Sequence, residues 1–187
     1  MPSKEQVGLE IVTTAEGLLG LVETKSNAEW DDPKTPGPDL RAKRFKQWLL
    51  SVGWNPGWAY CASTVEAVYR QTLVRMAAPP AIVQRIATQL CPSVMKSYAR
   101  CHDQITKSPI PGAIMFMQKG QTPYGHAGIV TAVHSGWFET IEANTSKEAS
   151  SAERQREGEG IFRKKHNLDF SRRDTLWIVG FLNPPSW

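Results

Sequence analysis

A thiol, an imidazole and a carboxylate that could together cut an amide bond occur in this chain in that order, each inside a short distinctive stretch. The thiol is Cys61, in Gly57-Trp58-Ala59-Tyr60-Cys61-Ala62-Ser63-Thr64. A Pro-Gly turn and aromatic residues precede it, and Val65, Val68, Tyr69 and Leu73 follow at helical intervals, which puts Cys61 at a helix start. The first N–H groups of a helix lack partners and carry partial positive charge, so a cysteine there is biased toward thiolate. The imidazole is His126, in Tyr124-Gly125-His126-Ala127-Gly128-Ile129-Val130, where small neighbours leave room around the ring. In Thr140-Ile141-Glu142-Ala143-Asn144-Thr145, Glu142 and Asn144 stand two apart and share one face of a strand.

These types suit nucleophilic catalysis. A thiolate attacks a carbonyl, an imidazole takes and returns a proton, a carboxylate or amide fixes the ring, and helix-start N–H groups receive the oxyanion. Each residue alone also has a plainer reading: Cys61 as a small buried apolar residue, His126 as a satisfied strand-end histidine, Glu142 as a solvated strand end. Both readings stand on the residues alone.

The elements that would position them fall in two halves. Ser3 and Gln6 form a capping-box pattern, and Val7, Ile11, Ala15, Leu18, Leu19 and Val22 predict an amphipathic helix over 4–23. A loop over 24–38 follows, rich in turn formers, then a helix over 39–52 capped by Asp39. The helix from Cys61 runs to about Met76, Pro79-Pro80 breaks it, and shorter helices are expected near 81–90 and 93–102. Beyond Pro109 the period changes to short β-rich runs at 113–117, 127–134, 137–143, 160–166 and 176–182. The expectation is one α+β domain over 1–187, with N-terminal helices packed on an antiparallel sheet of about five strands.

Composition narrows the partners. The chain has 187 residues, 41% hydrophobic and 21% charged, enough for a full core. Lys+Arg 22 against Asp+Glu 18 gives +4, a mild lean toward anionic partners. The densest basic cluster, Arg163, Lys164 and Lys165 with Arg172 and Arg173, reads as a solvated face, so no nucleic-acid partner is expected. No signal peptide or membrane-spanning run is recognised, and no membrane insertion is expected. Three cysteines allow at most one disulfide, with Cys91 and Cys101 the pair that could close a short loop. Cys91, Cys101 and His102 lack a fourth zinc ligand, there is no phosphate-cradling glycine loop, and His134 and His166 read as surface residues.

The aromatic-Cys-Ala helix start, Pro109-Ile110-Pro111-Gly112 before a strand, Gly-His-Ala-Gly-Ile-Val, Ile-Glu-Ala-Asn-Thr and Gly158-Glu159-Gly160-Ile161-Phe162-Arg163 together resemble the CHAP family of cysteine amidohydrolases and peptidases. The resemblance implies a fold like papain and the NlpC/P60 enzymes and cleavage of an amide in or beside the stem peptide of bacterial peptidoglycan. It implies Cys61 as nucleophile, His126 as base, Glu142 as orienter of the ring, Asn144 as a further polar contact, and Trp58, Tyr60 and Tyr124 as substrate contacts. Asn27, Asp31 and Asp32 are similar to calcium-site residues of some CHAP domains but lack a strong calcium loop's alternating carboxylates, so neither metal nor cofactor is expected.

Three positions depart from the family pattern: Tyr60 where phage-type relatives often have Trp, Ala113 where Asp is common, and Ala143 where many have Gly. A positive φ at Ala143 would be strained. The expected setting is a protein made in the cytoplasm and acting at the wall or periplasm after lysis or delivery, as a phage lysin or a delivered toxin with an immunity or inhibitor protein as partner. The rivals are a CHAP-fold binding module without turnover and a cysteine peptidase acting on another amide.

Overall fold

The computed structural model describes residues 1–35, 37, 39–146, 159–171 and 175–187. Pro36, Pro38, Gly158, Arg172 and Arg173 of the sequence reading lie outside the described residues.

The helical half contains α1 (Lys4–Glu16), α2 (Leu40–Ser51), α3 (Cys61–Arg75), α4 (Pro80–Gln89) and α5 (Val94–Arg100). Ser3 Oγ accepts from the Gln6 N–H while Gln6 Oε1 accepts from the Ser3 N–H, the reciprocal box the sequence predicts. Asp39 caps α2 by accepting from the Arg41 N–H at 2.7 Å. Helix α1 is shorter than expected. It ends at Gly17, the chain turns at Gly20 with φ +88°, and Val22 begins a strand. Leu18 and Leu21 are still buried, so the apolar pattern ran on through a turn that two glycines make.

The sheet has eight strands among the described residues, not about five: β1 (Val22–Lys25), β2 (Glu29–Asp31), β3 (Ile105–Thr106), β4 (Ile114–Lys119), β5 (Gly125–His134), β6 (Trp137–Thr145), β7 (Gly160–Asn167) and β8 (Leu176–Leu182). The order is β2-β1-β7-β6-β5-β4-β8-β3, and the pairings are antiparallel. The three additional strands are two to four residues long, too short to show a period of two. Strand β1 starts in the last residues of the expected helix and runs into the segment expected to be a loop, which also contains β2.

The sheet carries a core on each face. Ile114, Phe116, Ala127, Ile129, Ile141 and Ala143 pack with the helices, chiefly with α3, buried from Cys61 through Tyr69. Ala113, Met115, Met117, Val130, Phe138, Ile178 and Phe181 form a smaller core on the other face, covered by Leu168 and Phe170. Helices α1 and α3 are anchored to the turn before β4. A β-carbon on Gly8 would meet Pro111 O at 2.2 Å, and the Tyr69 hydroxyl donates to Gly112 O at 2.6 Å. This close approach sets where α3 starts relative to β5.

The loop acids serve structure. Arg41 pairs with Asp32 at 2.6 Å and with Asp39 at 2.7 Å, and Asp31 Oδ1 accepts from the Asp39 N–H. Among the described residues, no group of three or more His, Cys, Asp and Glu side chains is arranged to hold a metal ion. No helix of the described residues is long and apolar enough to cross a membrane. The three cysteines are free thiols.

Candidate active site

The site lies where β5 and β6 part. Their pairing begins at Gly128–Glu142, so Gly125 to Ala127 are bonded to β4 alone. The first residue of α3, Cys61, fits into this opening, where His126 and the backbone N–H groups of Ala127 and Ala62 act on its thiol. The helix start that the sequence indicated therefore presents a thiol to fixed donors from two elements.

His126 links the thiol to a carboxylate. Its Nε2 lies 2.9 Å from Glu142 Oε2, which leaves Nδ1 as the ring nitrogen for Cys61. The two side chains are 14% and 4% exposed. Gly128 makes this approach feasible. It stands opposite Glu142 in the register, and a β-carbon there would come within 2.6 Å of Glu142 Cγ. The small residues around His126 are thus explained by the path of the neighbouring carboxylate.

Electrostatics favour a thiolate–imidazolium pair. Burial pushes the Cys61 thiol up, but the hydrogen bond and charge of His126, with the two backbone N–H groups, outweigh it and hold the thiol below its ordinary value. Burial works to lower His126, yet its bonds to Cys61 and Glu142 raise it to about 10. Glu142 is desolvated, which would raise it, but hydrogen bonds from His126 and His166 hold it well below the usual carboxylate range. A proton on His126 is stabilised on both sides.

Two partners of Glu142 escaped the sequence reading. Thr140 Oγ1 donates to Glu142 Oε1 at 2.5 Å, and His166 Nε2 lies 2.5 Å from the same oxygen. His166 is therefore a correction: it is a half-buried residue of the site, not a surface one, with 21% of its side chain exposed. Phe138 and His166 face each other in the β6–β7 register, and alternation puts Phe138, Thr140 and Glu142 on one face of β6. The register across a long connection was the missing datum, since residue type alone cannot supply it. His134 is exposed and stacks on Trp137 at 3.8 Å.

The remaining expected residues divide. Tyr60 is also corrected: it is fully buried, in edge contact with Trp30 at 5.0 Å and Phe45 at 6.0 Å, so it has no surface to offer a substrate. Its ring supports the start of α3 from beneath, and its hydroxyl sits among Glu23, Trp30 and the Asn144 backbone. Trp58 and Tyr124 are exposed, at 51% and 71%. Asn144 sits at a register shift in β6 with φ +58°, and its Oδ1 is buried without a hydrogen-bond partner among the described residues. The positive φ thus falls on Asn144, which tolerates it, and not on Ala143.

The family model described as CHAP domain matches residues 51–144, half of the chain, from the end of α2 to Asn144. The chain belongs to the CHAP family. The matched span contains Cys61, His126, Glu142 and Asn144, whereas His166 lies beyond it. Comparison with curated proteins and with solved structures found no match. Family membership places the chain with amidases and peptidases connected with peptidoglycan.

Proposed function

We propose that the protein is a peptidoglycan hydrolase that cleaves an amide in or beside the stem peptide, as an N-acetylmuramoyl-L-alanine amidase or an endopeptidase. The observation that carries this reading is an imidazole bonded to a buried carboxylate and set beside a helix-start thiol. In this reading Cys61 is the nucleophile, His126 the acid and base, and Glu142 the residue that fixes the ring. Asn144 is a further polar contact beside them.

The Cys61 thiolate attacks the carbonyl carbon, forming a C–S bond and an oxyanion that N–H donors at the start of α3 receive. His126 gives its proton to the leaving nitrogen, the C–N bond breaks, and a thioester remains. Water then gives a proton to His126 and attacks the thioester, releasing a carboxylic acid and restoring the pair. Trp58 and Tyr124, exposed on the segments that lead into Cys61 and His126, are the surfaces against which the substrate packs. The mild positive charge suits an anionic wall. The protein would meet that wall after cell lysis or delivery by a secretion machine, as a lysin or as a toxin with an immunity partner.

Digestion of purified sacculi of known chemotype, with mass spectrometry of the soluble products, tests this. Amide cleavage yields fragments with new amino and carboxyl ends and intact glycan. Products cut only between sugars, or no soluble products at all, would overturn the reading.

A further inference from the structure

The Glu142 carboxylate has two oxygens with different duties. Oε2 faces His126, while Oε1 takes Thr140 Oγ1 and His166 Nε2, each at 2.5 Å. A carboxylate bonded through one oxygen can still rotate about its last torsion, which is broad and roughly two-fold. Donors fixed on the second oxygen remove that freedom. His166 is itself fixed, because its ring stacks on the fully buried Phe138 with centroids 5.4 Å apart and planes at 28°.

We propose that His166 is a positioning residue of the site, an imidazole that donates its Nε2 proton to Glu142 Oε1 and so aims Oε2 at His126. The inference rests on the amide-cleaving reading for its consequence in turnover, and on geometry alone for its effect on the thiol. Thr140 cannot replace His166, since a hydroxyl also accepts and can turn away.

The free edge of His166 opens on a crevice of about 200 Å³ that Met117 and Trp177 also line. Met117 is the register partner of His126, so the crevice lies near the reacting groups. A substrate-gripping role for His166 is therefore the outcome the test must separate.

His166→Phe keeps an aromatic ring on Phe138 and removes the donor; His166→Gln keeps an N–H donor at the position of Nε2 and removes the ring. Each full-length variant, with its fold verified by circular dichroism and melting, is assayed on purified sacculi over a range of concentrations. Its Cys61 alkylation by iodoacetamide at pH 6 is followed by peptide-resolved mass spectrometry. His166→Ala takes the place of the phenylalanine variant if that one does not fold.

Loss of the donor is expected to lower the maximal rate and the Cys61 alkylation rate by roughly tenfold, the size of one hydrogen bond to a charged group, with half-saturation unchanged. His166→Gln is expected to recover both to within about threefold of wild type. The proposal is overturned if His166→Phe matches wild type in both assays, if His166→Gln is as slow as His166→Phe, or if only half-saturation changes. Alkylation needs no substrate, so it judges His166 even if wild type leaves sacculi intact, a result that would count against the cleavage reading alone.

Discussion

Gly128 lies directly opposite Glu142 in the β5–β6 register, so close that a β-carbon on Gly128 would stand 2.6 Å from Glu142 Cγ. The carboxylate reaches His126 through the space this glycine leaves open. Gly128→Ala should push Glu142 off its line to His126 while leaving the fold intact. A misplacement approaching 1 Å is expected to cost on the order of 100-fold in rate. Muropeptide release by this variant, measured beside its melting curve, checks the point, and wild-type release would contradict it.

The second prediction concerns thiol reactivity. Because His126 and two backbone N–H groups hold Cys61 below its ordinary value, alkylation should be appreciable below the usual thiol pKa of about 8.5. His126, raised to about 10, keeps its proton up to that pH, so amide cleavage should fall as pH rises through about 10. Cys101, which burial pushes up to about 11, should stay unmodified where Cys61 reacts. Peptide-resolved alkylation from pH 5 to 9 separates the two. Identical pH profiles would refute the thiolate–imidazolium pair.

Tyr60 provides a third test, because its two roles have different signatures. The buried ring packs with Trp30, Phe45 and Trp54 beneath the start of α3. Tyr60→Ala is expected to destabilise the fold by about 3–5 kcal/mol, read by urea unfolding. A variant of wild-type stability with a raised half-saturation for sacculi would restore Tyr60 as a substrate contact.

Three residues of the candidate site could be singled out in the sequence, and the reason is local. Cys61, His126 and Glu142 each sit in a contiguous stretch whose neighbours serve the same purpose, such as the aromatic residues before the thiol and Gly128 after the histidine. Thr140 and His166 were not legible as site residues, because their role depends on strand register and on which face of the sheet each strand turns toward Glu142. Likewise β1, β2 and β3 are too short to declare a period, and α1 seemed longer because Leu18 and Leu21 remain buried after the helix has ended. The anticipated strain at Ala143 does not arise, since the left-handed residue is its neighbour Asn144.

A fourth prediction lies away from the site. Glu66 on α3 is buried, and desolvation outweighs the attraction of Arg70, raising its carboxyl to about 7. A raised acid binds its proton more tightly when folded, so Glu66 makes stability fall as pH rises from about 4.5 toward 7. Glu66→Gln should remove this slope, by roughly 1–2 kcal/mol between pH 5 and pH 8. Urea unfolding at both values decides, and an unchanged slope would show that Glu66 is ionised throughout.

Amide cleavage by this protein depends most directly on the Cys61 thiol. Purified sacculi should release soluble muropeptides with the wild-type protein and none above background with Cys61→Ala, whose melting temperature should stay close to wild type. Release by Cys61→Ala at the wild-type rate would contradict the assignment of the nucleophile.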